Sequence, residues 1–152
     1  MRKIILTALL MMFMTADCFA AQVIDTDRAA IGGIAIGSKT DYVKSIYGDP
    51  DKIRVADDDS TEWYYGDSFL IRFVDGQAVF VCSSGNNGLN TPDDVGVGMK
   101  GRRAKKVFGR PHEKLKFDKR QIYTYKGAGA WRMMFVLYDG WITEIRLVAD
   151  NQ

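Results

Sequence analysis

Two stretches of the chain carry the same order of apolar and polar positions. IAIGSKTDYVKSIYGDP (Ile34 to Pro50) aligns without a gap on VGVGMKGRRAKKVFGRP (Val95 to Pro111), 61 residues further on. Ile34 matches Val95, Ile36 Val97, Gly37 Gly98, Val43 Ala104, Ile46 Val107, Tyr47 Phe108, Gly48 Gly109 and Pro50 Pro111. Self-similarity at a fixed spacing is the signature of a repeated supersecondary unit. In each copy the apolar positions after the first glycine fall at i, i+3 and i+4, the spacing of a short helix. Ser38 followed by Asp41 predicts a capping box at the start of the first helix. Gly48 and Gly109, each followed by a proline two residues on, predict left-handed helix ends.

Beyond each helix the period changes from 3.6 to 2. Extended segments are predicted around Ile53, Trp63 to Tyr65, Phe69 to Val74 and Ala78 to Ser83, with Asp75-Gly76 as a hairpin turn. In the second copy YTYK at Tyr123 resembles WYYG at Trp63, and MMFVLYDG (Met133 to Gly140) resembles FLIRFVDG (Phe69 to Gly76) at an offset of 64. The expected class is therefore α+β: two tandem repeats, each a short helix packed on an antiparallel sheet of three or four strands. Repeat 1 spans residues 21–84 and repeat 2 residues 95–152, with residues 85–94 as linker. A lone unit of about 60 residues buries a marginal core, so the two units are expected to dock side by side.

Alternation sorts each sheet into two faces. Phe69, Ile71 and Phe73 share one face with Val79 and Val81, and the second copy places Met133, Phe135, Leu137, Thr143 and Ile145 there. The opposite face carries Tyr64, Arg72, Phe80, Cys82, Arg132, Met134, Tyr138, Glu144 and Arg146. Charged side chains under a helix would be costly, so this second face is the expected open one.

The start of the chain changes the picture of where the protein works. Arg2 and Lys3 precede an apolar run from Ile4 to Met14, and small residues lead to Ala21. That is the pattern of a cleaved signal peptide over residues 1–20, which predicts an exported, periplasmic or extracellular protein. Lipidation at Cys18 is the alternative, and Asp17 directly before it fits poorly. With residues 1–20 removed, Cys82 is the sole cysteine, so stability must come from an apolar core and not from a disulfide framework. Charge is unevenly divided. Residues 21–90 hold 11 acidic and 6 basic residues, a net of −5, whereas residues 91–152 hold 7 acidic and 13 basic, a net of +6. Such a division either draws the two halves together or orients a partner.

The residues that recur, I-x-I-G, a helical valine, G-x-P, an aromatic strand and a D-G hairpin, resemble the SmpA/OmlA small outer-membrane lipoprotein domains. In tandem they look similar to the secreted β-lactamase-inhibitor protein fold. The resemblance covers Ile34 to Val148 and rests on turn and core positions, so it carries no functional residue across. It implies a non-enzymatic binding module of the cell envelope.

Candidate chemistry is sparse. Tyr, Met and Arg are enriched in protein interfaces, which makes the open face the expected binding surface, with Tyr64, Arg72, Phe80, Arg132, Tyr138 and Arg146 as its anchors. The partner expected there is another envelope or secreted protein. A second candidate is the basic helix, whose Arg102, Arg103, Lys105 and Lys106 would attract anionic envelope material; charge runs are more often merely solvated. Cys82 would need a base, and the single histidine, His112, sits in a turn of the other repeat. Asp57, Asp58 and Asp59 lack the spaced ligands and glycine of a calcium loop and read as a solvated hairpin tip. No catalytic residue, metal, cofactor or nucleic-acid partner is expected. The readings in order are a protein-binding or inhibitor-like module, a structural envelope factor acting through the basic helix, and a hydrolase without a discernible nucleophile–base pair. Mass spectrometry of the exported protein is expected to find Ala21 at the N-terminus without lipid, and a diacylated Cys18 would defeat that reading.

Overall fold

The structure, a computed structural model, describes residues 21–56 and 60–150. The expected signal segment, with Cys18, and the Asp57, Asp58 and Asp59 run lie outside the described residues. The alternating segments form strands β1 (Lys52–Val55), β2 (Thr61–Tyr65), β3 (Phe69–Val74), β4 (Gln77–Ser83), β5 (Glu113–Phe117), β6 (Arg120–Lys126), β7 (Trp131–Tyr138) and β8 (Trp141–Ala149). Helices α1 (Thr40–Tyr47) and α2 (Gly101–Phe108) are eight residues each.

The strands make one antiparallel sheet in the order β1-β2-β3-β4-β8-β7-β6-β5. This corrects the expected class. The described chain is a β-rich fold built on one eight-stranded sheet, not two α+β units with a sheet apiece. The join is the pairing of β4 with β8, where Phe80, Val81, Cys82 and Ser83 face Val148, Leu147, Arg146 and Ile145. One buried cluster runs across that join, from Trp63, Ile71 and Val81 to Leu147, Phe135 and Tyr125. A single core of this extent removes the need for two small units to dock, because the backbone ladder already unites them.

Both helices lie over the same face of the sheet. Val43 of α1 is fully buried, and the Tyr47 ring packs 5.2 Å from Phe69. Phe108 of α2 stacks 5.6 Å from Phe135 and 5.7 Å from Tyr125, a tilted cluster of the kind aromatic quadrupoles favour. Gly101 brings the start of α2 against the sheet, since a Cβ there would collide with Leu137 and come within 3.3 Å of Tyr123.

Local details depart from expectation in three places. Ser38 does not cap α1: the cap position is Lys39, without a side-chain bond, and Ser38 Oγ accepts the Ala35 N–H at 3.1 Å. Ile46 is 45% exposed, so α1 buries a narrower face than its spacing suggests. A β-bulge also interrupts each of two hairpins. Arg72 faces Phe80 but Phe73 faces Ala78, leaving Val79 as the extra residue, and Thr143 is likewise extra between Val136 and Leu137. A bulge advances the register by one residue. Core positions assigned by strict alternation to Val79 and Thr143 therefore fall to Ala78 and Ile142, each 1% exposed.

The turns follow their residue types. Asp75-Gly76 and Asp139-Gly140 take positive φ throughout, as two-residue hairpins require. Gly48 (φ 77°, ψ −160°) and Gly109 (φ 74°, ψ −153°) end the helices in a region open essentially to glycine alone. Their carbonyls accept the hydroxyls of Tyr65 and Tyr125, each at 3.1 Å. No atom lies closer than 4.0 Å to a Cβ at either position, so alanine there would suffer only from backbone strain. Gly48→Ala and Gly109→Ala are each expected to lower unfolding stability by about 1–3 kcal/mol in denaturant titrations. Neutral results at both would show that the helix ends are not held as described.

Candidate functional site: an open sheet face and a basic helix

The face of the sheet away from the helices is organised in cross-strand rows. One row runs Tyr64, Leu70, Cys82, Arg146, Met134, Thr124 from β2 to β6, and the next Glu62, Arg72, Phe80, Val148, Arg132, Lys126. Five of the six expected anchors lie in these rows, and alternation along β7 places the sixth, Tyr138, on the same surface. They do not form one cluster, because Tyr64 and Tyr138 stand four strands apart, roughly 19 Å at the usual strand spacing.

The three arginines among the anchors are all ion-paired. Arg72 donates to Glu62 from Nε at 3.1 Å and from Nη2 at 2.7 Å, and the Tyr64 hydroxyl donates to the same carboxylate at 2.7 Å. Arg146 grips Glu144 at 2.6 and 2.9 Å, and the Cys82 thiol donates to that carboxylate at 3.1 Å. Arg132 pairs with Asp150 at 3.2 Å. Arg72 also lies 5.9 Å from the Phe80 ring centre. These pairs fix the face chemically. The Tyr64 and Arg72 hydrogen bonds hold the buried Glu62 carboxyl below its ordinary pKa. For Glu144 burial is the largest influence and opposes ionisation, but the bonds from Arg146 and Cys82, with the Arg146 charge, outweigh it and the pKa is lowered.

Cys82 is 8% exposed, and burial together with the neighbouring Glu144 pushes its thiol far up, opposite to what a nucleophile needs. His112 follows α2 and uses Nδ1 to accept the Lys126 N–H at 3.2 Å. It adjoins β5, four strands and roughly 19 Å across the sheet from the Cys82 position. Burial and the nearby Lys126 lower its pKa, favouring the neutral imidazole.

Exposure on this face is concentrated around one expected anchor, Tyr138, and two residues outside the expected set, Leu115 and Phe117. Phe117 of edge strand β5 is 59% exposed, Leu115 39% and Tyr138 56%. They are neighbours through the rows Phe117, Arg120, Tyr138 and Leu115, Ile122, Val136. The signal was present as period-two alternation in EKLKF, whose apolar residues are flanked by lysines and so resemble a polar loop in composition.

The basic helix occupies the other candidate surface. Arg102, Lys105 and Lys106 are exposed, and the half-buried Arg103 reaches the Asp93 carbonyl at 3.5 Å. The four expected residues divide between two clefts. One, about 550 Å³, is lined by Met99, Lys100, Arg102, Arg103, Lys106 and Trp141. The other, about 530 Å³, is lined by Lys105, Gly109, Arg110, Pro111, His112 and Lys114. Lys105 and Lys114 both lie over the Tyr123 ring, at 4.9 and 5.8 Å.

No protein-family model matches the sequence, and no curated relative does either, so the SmpA/OmlA resemblance has no family match behind it. Solved structures do share the fold. A cysteine-rich secretory protein from Staphylococcus aureus matches with a TM-score of 0.59 and 12% identity over 86% of this chain and 50% of its own. An extracellular protein containing an SCP domain from Bacillus anthracis matches with a TM-score of 0.53 and 15% identity, over 76% of this chain and 44% of its own. A DUF4309 family protein from Bacillus subtilis has a TM-score of 0.51 and 17% identity, over 77% of this chain and 82% of its own. This chain thus spans half or less of the first two, and the likeness concerns the fold. Among the described residues no helix is long and apolar enough to cross a membrane.

Because the folded pKa values of Glu62 and Glu144 lie below the unfolded value of about 4.3, their contribution to stability is fully present above that pH. It is lost as pH falls through the lowered folded values. Glu62→Gln and Glu144→Gln are expected to have lower urea midpoints than wild type at neutral pH. The gap should close in acid; a gap independent of pH would mean that the carboxylates do not act through their charge.

Proposed function

We propose that the protein is an exported, non-enzymatic binding module whose open sheet face holds a protein partner. The observation that carries this reading is the apolar corner of Leu115 and Phe117 on β5 and Tyr138 on β7, exposed on one face with β6 between them. Large aromatics set beside arginines are the side chains on which interface energy concentrates. Arg120 stands between Phe117 and Tyr138 in the same row. The internally paired Arg72 and Arg146 then serve as a polar rim, because their charges are already met by Glu62 and Glu144.

Export is supported by the signal-like residues 1–20 and by the description of two structural neighbours as extracellular or secretory proteins. A non-catalytic role is supported by the state of Cys82, whose thiol is held protonated far from His112. On this reading the face presents a rigid, pre-formed surface, since the ladder and its ion pairs fix the side-chain stems before any partner arrives.

A photo-crosslinking side chain placed at Tyr138 or Phe117 in exporting cells is expected to join one discrete protein, while the same group at the exposed Ile46 of α1 does not. Affinity for that protein should fall at least thirtyfold, about 2 kcal/mol, in Phe117→Ala with Tyr138→Ala. The melting temperature should barely move, because both side chains lie outside the core. Equal cross-linking at Ile46, or unchanged affinity in the double variant, would remove the open face as the site.

A further inference from the structure

Among the described residues no ion pair reaches the cations of α2, whose contacts within the fold are Arg103 on the Asp93 carbonyl and Lys100 and Lys105 over the Trp141 and Tyr123 rings. In α1 the first turn carries Asp41, an anion where the helix dipole is positive. The matching turn of α2 holds Arg102 and Arg103, with Lys100 at the cap position and no acidic residue. Three cations at that end oppose the dipole. Asp93, whose carbonyl Arg103 reaches, has its carboxylate engaged by Arg28 at 2.8 Å. Among the described residues no acidic side chain lines either of the clefts beside α2. A local rule broken without a compensating charge among the described residues points to a partner that supplies the missing negative charge.

The composition of the first cleft narrows the kind of anion. Trp141 is 47% exposed there, whereas Trp63 and Trp131, the other tryptophans of the chain, are 7% and 6% exposed. Lys100 Nζ sits 4.9 Å from the Trp141 ring centre, and the half-buried Met99 lines the same cleft. A soluble polyanion would be satisfied by the charges alone. A tryptophan half out of water, ringed by Lys and Arg, matches the boundary of an anionic bilayer, where phosphates meet cations and the indole sits at headgroup depth.

We propose that α2, with Lys100 and Trp141, is a docking surface for an anionic phospholipid bilayer, phosphates lying over Arg102, Arg103 and Lys106 and the Trp141 ring entering the headgroup layer. This inference does not rest on the sheet-face reading and can fail or hold apart from it.

The test uses purified protein of N-terminus defined by mass spectrometry, with vesicles of phosphatidylcholine alone or mixed with phosphatidylglycerol. Sedimentation with the mixed vesicles only is expected, weakening as salt rises, together with a blue shift of tryptophan emission. Because Trp141 is the exposed tryptophan, the shift should vanish in Trp141→Phe. Arg102→Glu with Lys106→Glu should lower partitioning roughly tenfold or more. Lys52→Glu with Arg54→Glu makes the same charge change on edge strand β1 and should leave it nearly unchanged. Circular dichroism on every variant separates loss of binding from loss of fold, and Arg102→Gln with Lys106→Gln replaces any reversal that unfolds. Equal binding to phosphatidylcholine, equal losses from the β1 and α2 reversals, or binding without a blue shift that soluble polyphosphate competes away would each overturn the proposal.

Discussion

The four-residue ladder between β4 and β8 is the contact on which the rest of the molecule depends. Without it the strands fall into two four-stranded meanders, each with one short helix and a core near the lower limit of independent stability. With it, Val81 and Leu147 face each other in the middle of a single buried layer, and both helices cover one continuous surface. The same ladder creates the open face. Cys82 and Arg146 are partners across it, and the Cys82–Glu144–Arg146 group spans it with side chains. The join is therefore held by backbone bonds, by apolar packing on one side and by a charged hydrogen-bond group on the other.

Features set by single residue types were the legible ones. Positive φ restricts the choice of residue, so Asp-Gly pairs marked their hairpins and Gly48 and Gly109 marked their helix ends. Charge is costly under a helix, so Arg72, Glu144 and Arg146 marked the open face. Features set by non-local pairing were not legible. Nothing in period-two alternation says which strand lies beside which, and the pairing of residues 80–83 with residues 145–148 turned two anticipated sheets into one. Bulges were hidden for a related reason, because Val79 and Val81 alternate correctly and only the partner strand reveals that one of them is extra. Ser38 was misread as a cap because the motif does not distinguish bonding forward into the helix from bonding back to Ala35.

The candidate surfaces were legible to different degrees. The basic run of α2 is contiguous in sequence and was evident from composition, but its division into two clefts depends on Trp141 and Lys114, which lie far along the chain. Leu115 and Phe117 were overlooked since a five-residue edge strand alternating with lysine has the composition of a loop. Those lysines have their own physical role. An edge strand offers unpaired backbone groups to any neighbour, and Lys114 and Lys116 place like charges opposite each other should two copies of β5 approach. The two proposed surfaces meet at the β7–β8 hairpin, where Tyr138 and Trp141 are cross-strand partners. A protein held by Tyr138 would thus sit beside a bilayer met by Trp141, not across the molecule from it.

Strand order also bears on the pace of folding. Two strands share the centre of the sheet, β4 and β8, and β8 is the last of the eight in chain order. Helices and hairpins close over short loops, but the central ladder joins segments more than 60 residues apart and must await them. Long-range pairing of this kind slows folding, and until it forms both β4 and β8 show a bare inner edge beside apolar side chains. Such a chain stays in an open, unfinished state longer than a meander whose strands pair as they emerge. That delay is a hazard in a crowded compartment. It is an asset to a polypeptide that has to be threaded through a narrow pore before it acquires its shape.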